Sequence, residues 1–149
     1  MGTEEEGIGK LTLGEAIARL RATDDPSGEV TAAMNAAATH AFEQHDAVHV
    51  LFSCGTSVQD EIAAHVWMAL GTTARLGEMH RAVASAEHRQ VLSGIGHLRL
   101  VGIWVTSLPR ILGIAFRALR MKKKVAFERL DELKGRSVVS IRQEHGIIV

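Results

Sequence analysis

The chain has 149 residues, 46% hydrophobic and 23% charged, the size and composition of one globular domain able to bury a core. A single cysteine, Cys54, excludes an internal disulfide, and nothing in the composition calls for an oxidising compartment. The net charge of zero conceals opposed halves: residues 1–62 hold eleven Asp/Glu against three Lys/Arg, and residues 63–149 hold six against fourteen, −8 and +8. Either the halves pair within the fold or across a dimer, or the basic half faces an anionic partner.

With many alanines, two prolines, 4% aromatics and no tyrosine, the chain reads as helical. The opening "MGTEEEGIGK" is acidic where a leader would be basic and then apolar, and Glu6 argues against a myristoylation signal. Residues 1–10 are therefore expected to be a flexible, solvated tail ahead of one helical domain over 11–149. Thr12 with Glu15 fits a capping box, and Leu13, Ile17 and Leu20 recur at helical spacing, predicting a helix over 13–22. "TDDPSGE" is a turn, with Pro26 suited to the first turn of a helix running from about Glu29 to about Phe52. "SCGTS" interrupts that helix, and Thr56 or Ser57 can cap the next, which runs to about Leu70. Further helices are expected over 72–87, 89–107 and 110–121, with Pro109 ending or kinking one of them. "SVVSIR", 137–142, is the only strand candidate. The fold class is all-α, a single-domain helical bundle.

The stretch "QHDAVHVLFSCGTSVQDEIAAHV", 44–66, gathers polar ligands among oily residues. His45 and His49 stand one turn apart on a shared helix face, the spacing with which two imidazoles grip one metal. If the chain reverses near Gly55, facing positions sum to about 110, so His49 meets Glu61 and His45 meets His65. Asp46 lies about 100° round the helix from His45, placed as a fourth ligand or as a partner orienting an imidazole. His45, Asp46, His49 and Glu61 are thus the metal-site candidates, with zinc favoured over magnesium or manganese where imidazoles dominate. Against this stands the bland alternative, since a pair of histidines at this spacing is unsurprising in a chain with eight. Asp46 together with a facing glutamate at the right register tips the balance toward a metal. Cys54 reads as a small buried filler rather than a ligand.

"HDAVHVLFSCGTSVQDEIA" resembles the H-D-x-x-H motif, with a glutamate after eleven intervening residues, of the Coq proteins of ubiquinone biosynthesis, fourth group. The family pattern H-D-x-x-H-V-L-T-G-Y-x-T-x-x-x-G-E-I-A is matched at His45, Asp46, His49, Val50, Leu51, Thr56, Glu61, Ile62 and Ala63. The closing "IRQEHGI", 141–147, is similar to the family's L-R-x-E-L-G-I. Ser53-Cys54-Gly55 replaces the family's Gly-Tyr, Asp60 replaces a glycine, and "MKKKVAFERLDELKG" replaces a tryptophan-rich segment. The resemblance implies His45, Asp46, His49 and Glu61 as metal ligands and a helical homodimer peripherally bound to a membrane. It also implies a cavity for a polyprenyl lipid or quinone precursor, and other quinone-biosynthesis proteins as partners. The implied activity is removal of the ring carboxylate of a polyprenyl-hydroxybenzoate, a carbon–carbon lyase reaction. The alternative is a non-catalytic lipid carrier or scaffold with a structural metal. The expected location is the cytoplasmic side of a membrane, peripherally, or else the cytoplasm. HD phosphohydrolases also place His beside Asp, but here they would have to use His40, turned roughly 140° from His45, and Asp131.

Residues 100–119, "LVGIWVTSLPRILGIAFRAL", are apolar but broken by Pro109, Arg110 and Arg117, so they are not expected to span a bilayer. Arg117, Arg120, Lys122, Lys123 and Lys124 follow closely. That pattern fits a lipid surface or a greasy cavity with a phosphate-binding rim, or a core helix followed by solvated lysines. The cluster lacks interleaved aromatics, so nucleic acid is not an expected partner. Trp67 and Trp104 are expected in the core.

Overall fold

Thr12 builds the capping box the sequence suggests: its amide and hydroxyl donate to Glu15 Oε2 at 2.8 Å, and the Glu15 amide donates back to Thr12 Oγ1 at 3.3 Å. From it runs α1, Leu13–Asp24, which buries Leu13, Ala16 and Ile17. The computed structural model describes residues 7–24, 36–74 and 97–149, and of residues 24, 36–38, 97–101 and 104 the backbone alone. Residues 7–10 form a helical turn in which Ile8 packs against the core, while residues 1–6 lie outside the described residues. The expected helical stretches over 29–35 and 75–96 also lie outside them, as does the turn at Pro26 and the side chain of Trp104.

Next come α2, Ala36–Leu51, and α3, Val58–Gly71. Ser57 caps α3 by accepting from the Asp60 amide at 3.2 Å. Residues 72–74, expected to begin a helix, are not helical; Thr72 instead forms an isolated parallel bridge with Val125. A long helix, α4, His97–Leu119, passes through Pro109 without ending. The proline and Val105, whose carbonyl loses its usual donor, are both exposed, so water can replace the missing bond. After it come a 3₁₀ turn, Phe127–Arg129, then α5, Leu130–Lys134, and α6, Val138–His145.

The one strand candidate, 137–142, lies in α6 and its cap instead. Ser137 accepts from the Ser140 amide as an N-cap, and Gly146 ends the helix at φ 68°, the left-handed conformation that favours glycine. These local helix signals outweigh the β-branched pair Val138-Val139.

The architecture is all-α. α1 packs on α2, α2 on α3, α3 most extensively on α4, and α6 returns to α2. One core joins Leu51, Phe52, Trp67, Met68, Ile114, Phe127 and Ile141. Trp67, 1% exposed, stacks on Phe52 with ring centroids 4.3 Å apart, so the sequence expectation for this tryptophan holds. The acidic and basic halves pair within the fold at Asp60–Arg110 and Glu43–Lys134. Among the described residues no helix is long and apolar enough to cross a membrane.

Candidate metal centre

α2 and α3 form the antiparallel hairpin, reversing over residues 52–57. A Cβ at Gly55 would stand 2.7 Å from Asp60 Oδ2, so a larger residue there would have to displace the Asp60 side chain. The reversal places Glu61 between the two histidines. Its Oε2 lies 3.1 Å from His45 Nε2 and its Oε1 3.3 Å from His49 Nε2, while the two Nε2 atoms are 3.4 Å apart. This group of His45, His49 and Glu61 can hold a metal ion.

Metal–ligand bonds near 2.0–2.1 Å set neighbouring donor atoms about 3.3 Å apart; here His45 Nε2 is 3.1 Å from one Glu61 oxygen, His49 Nε2 is 3.3 Å from the other, and the two Nε2 atoms are 3.4 Å apart. Each imidazole points Nε2 inward. His49 Nδ1 lies 2.9 Å from the Gly55 carbonyl and 3.3 Å from that of Cys54, two groups that only accept, so Nδ1 carries a proton and Nε2 is the nitrogen left to face Glu61 or, once deprotonated, a metal. A backbone partner of this kind is what fixes the tautomer of a metal-binding histidine.

Burial differs across the triad. His49 is 4% exposed, whereas Glu61 keeps 35% of its side chain in solvent, so the group opens on its glutamate side. Burial alone would raise the Glu61 carboxyl; the hydrogen bonds and charges of both imidazoles outweigh it and hold the group far below the usual carboxylate range. For His49 burial pulls the other way, yet the Glu61 hydrogen bond and charge, helped by the two carbonyls, raise it above its ordinary value.

Asp46 is the correction. It does not join the group; its Oδ2 takes the Arg21 guanidinium at 2.6 Å, tying α2 to α1. Position 46 is turned a full 100° from His45, toward α1 rather than toward the hairpin partner. Burial raises its carboxyl, against the opposing hydrogen bond and charge of Arg21. His65 stands where the hairpin register puts it: its ring centroid is 5.7 Å from that of His45, and Nδ1 donates to the Glu61 carbonyl at 2.7 Å. It therefore braces the backbone of a candidate ligand. Cys54 is a buried filler whose thiol burial pushes up to about 11. His40 and Asp131, which a phosphohydrolase centre would have to use, are both exposed, the first beside Gln44 and the second paired with Lys134.

Sequence reasoning missed two arginines, Arg21 on α1 and Arg142 on α6. They sit 25 and about 90 residues from their hairpin partners, beyond any local spacing signal. Away from the hairpin, a groove of about 480 Å³ is lined by Leu70, Leu119 and Met121 together with Lys123 and Lys124. Lys122, Lys123 and Lys124 are exposed yet partnered: Lys122 Nζ with the Gln143 carbonyl, Lys123 with Glu144, and Lys124 with the Ala69 carbonyl. No family model, curated protein or solved structure matches the chain.

Proposed function

We propose that the α2–α3 hairpin binds one zinc ion through His45, His49 and Glu61, and that the protein is a metal-dependent, lipid-handling member of quinone biosynthesis. In this reading it acts in the decarboxylation of a polyprenyl-hydroxybenzoate. One observation supports the metal above all: two inward Nε2 atoms 3.4 Å apart, each within 3.1–3.3 Å of an oxygen of the one Glu61 carboxylate, whose part-exposed side is open. A zinc ion held there supplies a Lewis acid that draws charge from a carboxylate or phenolic oxygen as carbon dioxide leaves. The residues divide the remaining work. His49 keeps its lone pair inward through the Gly55 carbonyl, Glu61 contributes the anionic donor, and His65 steadies the Glu61 backbone.

A lipid substrate is supported by α4. Val105, Leu108, Leu112, Phe116 and Leu119 are 50–85% exposed and fall within one 100° stripe, opposite the buried Ile114. Residues 97–124 contain seven Lys/Arg and no Asp/Glu, a charge pattern suited to an anionic bilayer. The lysine-edged groove begins at Leu70, roughly 13 Å along α3 from Glu61 by helical rise. That groove also favours a second reading, a non-catalytic polyprenyl carrier or scaffold in which the metal only staples the hairpin.

The test is elemental analysis of the purified protein, mass spectrometry of co-purifying lipid, and titration of the cobalt-substituted protein with 4-hydroxybenzoate. One metal equivalent and a shifted cobalt spectrum are expected. A spectrum indifferent to the carboxylate leaves the staple reading, and absence of bound metal overturns the centre.

A further inference from the structure

The last four carbonyls of a helix have no partner within it and must find one elsewhere. At the end of α2 all four are accounted for. The Phe52 amide donates to Val48 O and the Cys54 amide to His49 O, both at 3.0 Å. The other two belong to Arg142 of α6, 91 residues away: Nε donates to Leu51 O and Nη2 to Val50 O, each at 2.9 Å. The same Nη2 donates to Ser53 Oγ at 2.6 Å.

That third bond falls on an unusual residue. Ser53 adopts φ 50°, the only positive φ at a non-glycine among the described residues. Left-handed backbone costs such a residue roughly 1–2 kcal/mol, and it persists only where the surroundings dictate it. The turn it sets up leads directly to Cys54 and Gly55, whose carbonyls receive His49 Nδ1–H. A guanidinium, planar and forked, can span two carbonyls and a hydroxyl at once; an ammonium cannot hold the same geometry.

We infer that Arg142 is a positioning residue for the metal centre, locking the α2–α3 turn so that His49 keeps Nδ1–H on the Gly55 carbonyl and Nε2 toward His45 and Glu61. The inference rests on the zinc reading for its functional meaning, while the hydrogen bond it invokes, His49 Nδ1–H to the Gly55 carbonyl, exists with or without the ion. Arg142 is itself anchored: its neighbour Ile141 is wholly buried, and its own carbonyl accepts the amides of Gly146 and Ile147. The C-terminal helix therefore reaches back as a brace, and its guanidinium acts on the metal only through the turn.

The experiment uses the full chain as wild type, Arg142→Met, Arg142→Lys and, as a stability control on the same helix, Ile141→Val. Three quantities are read: zinc affinity by chelator competition, the visible spectrum of the cobalt form, and the His49 tautomer in metal-free protein by nitrogen-15 NMR. Loss of an outer partner typically weakens metal binding about 10–100-fold, and Arg142→Met should fall in that range, with a mixed His49 tautomer and an altered cobalt band. Arg142→Lys should lie between, and Ile141→Val should match wild type in all three. If Arg142→Met does not fold, Arg142→Lys against Ile141→Val carries the same comparison. Wild-type tautomer and affinity in the arginine variants would overturn the inference. Failure of the wild type to bind zinc would instead overturn the metal reading, with the tautomer measurement still deciding the role of Arg142.

Discussion

Glu61→Gln separates the metal from the fold. The substitution keeps the side chain's shape and removes its charge at a position whose side chain is 35% exposed. In metal-free protein the amide can still donate to the inward Nε2 atoms, and a part-exposed carboxylate–imidazole contact is worth less than about 1 kcal/mol. The apo melting temperature should therefore drop by no more than about 2–4 °C for a chain of this size. Zinc makes the contrast. At one hundred times its dissociation constant a ligand adds about 2.7 kcal/mol, which is a rise of about 5–11 °C in wild type. With its anionic donor gone, Glu61→Gln should bind more than about a hundredfold more weakly, and at the same zinc concentration the gain shrinks to about 0.4 kcal/mol, or about 1 °C. Differential scanning fluorimetry with and without zinc, beside metal analysis, reads both numbers. A variant that keeps the full zinc-dependent rise refutes the assignment of Glu61 as a ligand.

Three further outcomes are expected. In metal-free protein the raised His49 contributes stability that is present below its unfolded value, near 6.5, and lost as pH rises through the folded one; zinc must displace that proton, so the zinc-dependent rise in melting temperature should grow from pH 5.5 to 8, and a pH-independent rise refutes the competition. Asp46→Asn should retain one zinc per chain, because the carboxylate serves Arg21 rather than the triad; loss of the metal by analysis would restore Asp46 as a ligand. Leu112→Ser with Phe116→Ser should leave thermal stability within about 0.5 kcal/mol, since both side chains are more than 60% exposed, yet cut flotation on anionic vesicles at least tenfold; unchanged flotation removes α4 from any membrane contact.

What was legible in the sequence was whatever a local period encodes. The capping box at Thr12 and the four-residue step from His45 to His49 are contacts within one element. The meeting of His49 with Glu61 follows once the hairpin is centred at Gly55. The 100° step from His45 to Asp46 was legible too, but not its partner: the Arg21 that takes the carboxylate stands on α1, 25 residues away. The segment 137–142 looked like a strand because Val138-Val139 carries β propensity, while its caps, Ser137 and Gly146, lie at its margins. Pro109 did not stop α4, since a proline on an exposed helix face loses its hydrogen bond to water rather than to a buried carbonyl. Arg142 was visible only as part of a tail pattern; the α2 carbonyls it caps are fixed by the folded chain alone.

His45, His49 and Glu61 bring donor atoms within 3.1–3.4 Å of one another across the hairpin, which asks what holds α2 against α3 so closely. The ion pair Arg110–Asp60, beside Glu61, is an obvious candidate, but its side chains are 41% and 20% exposed, and pairs of that kind contribute about 0.2–1 kcal/mol. The stacked Phe52 and Trp67 are another matter. Fully burying a phenylalanine-sized side chain contributes about 1.5–3 kcal/mol, and a stacked aromatic pair adds about 0.5–1.5 kcal/mol beyond that burial. Phe52 is the first residue beyond α2 and Trp67 lies six residues past Glu61, so their contact ties the end of one ligand-bearing helix to the body of the other. Gly71 seals the same joint, since a Cβ there would meet Phe52 at 2.9 Å. The apolar joint outweighs the ion pair several-fold. The core therefore sets how the two helices meet, and the donor atoms of His45, His49 and Glu61 are gathered by the fold itself.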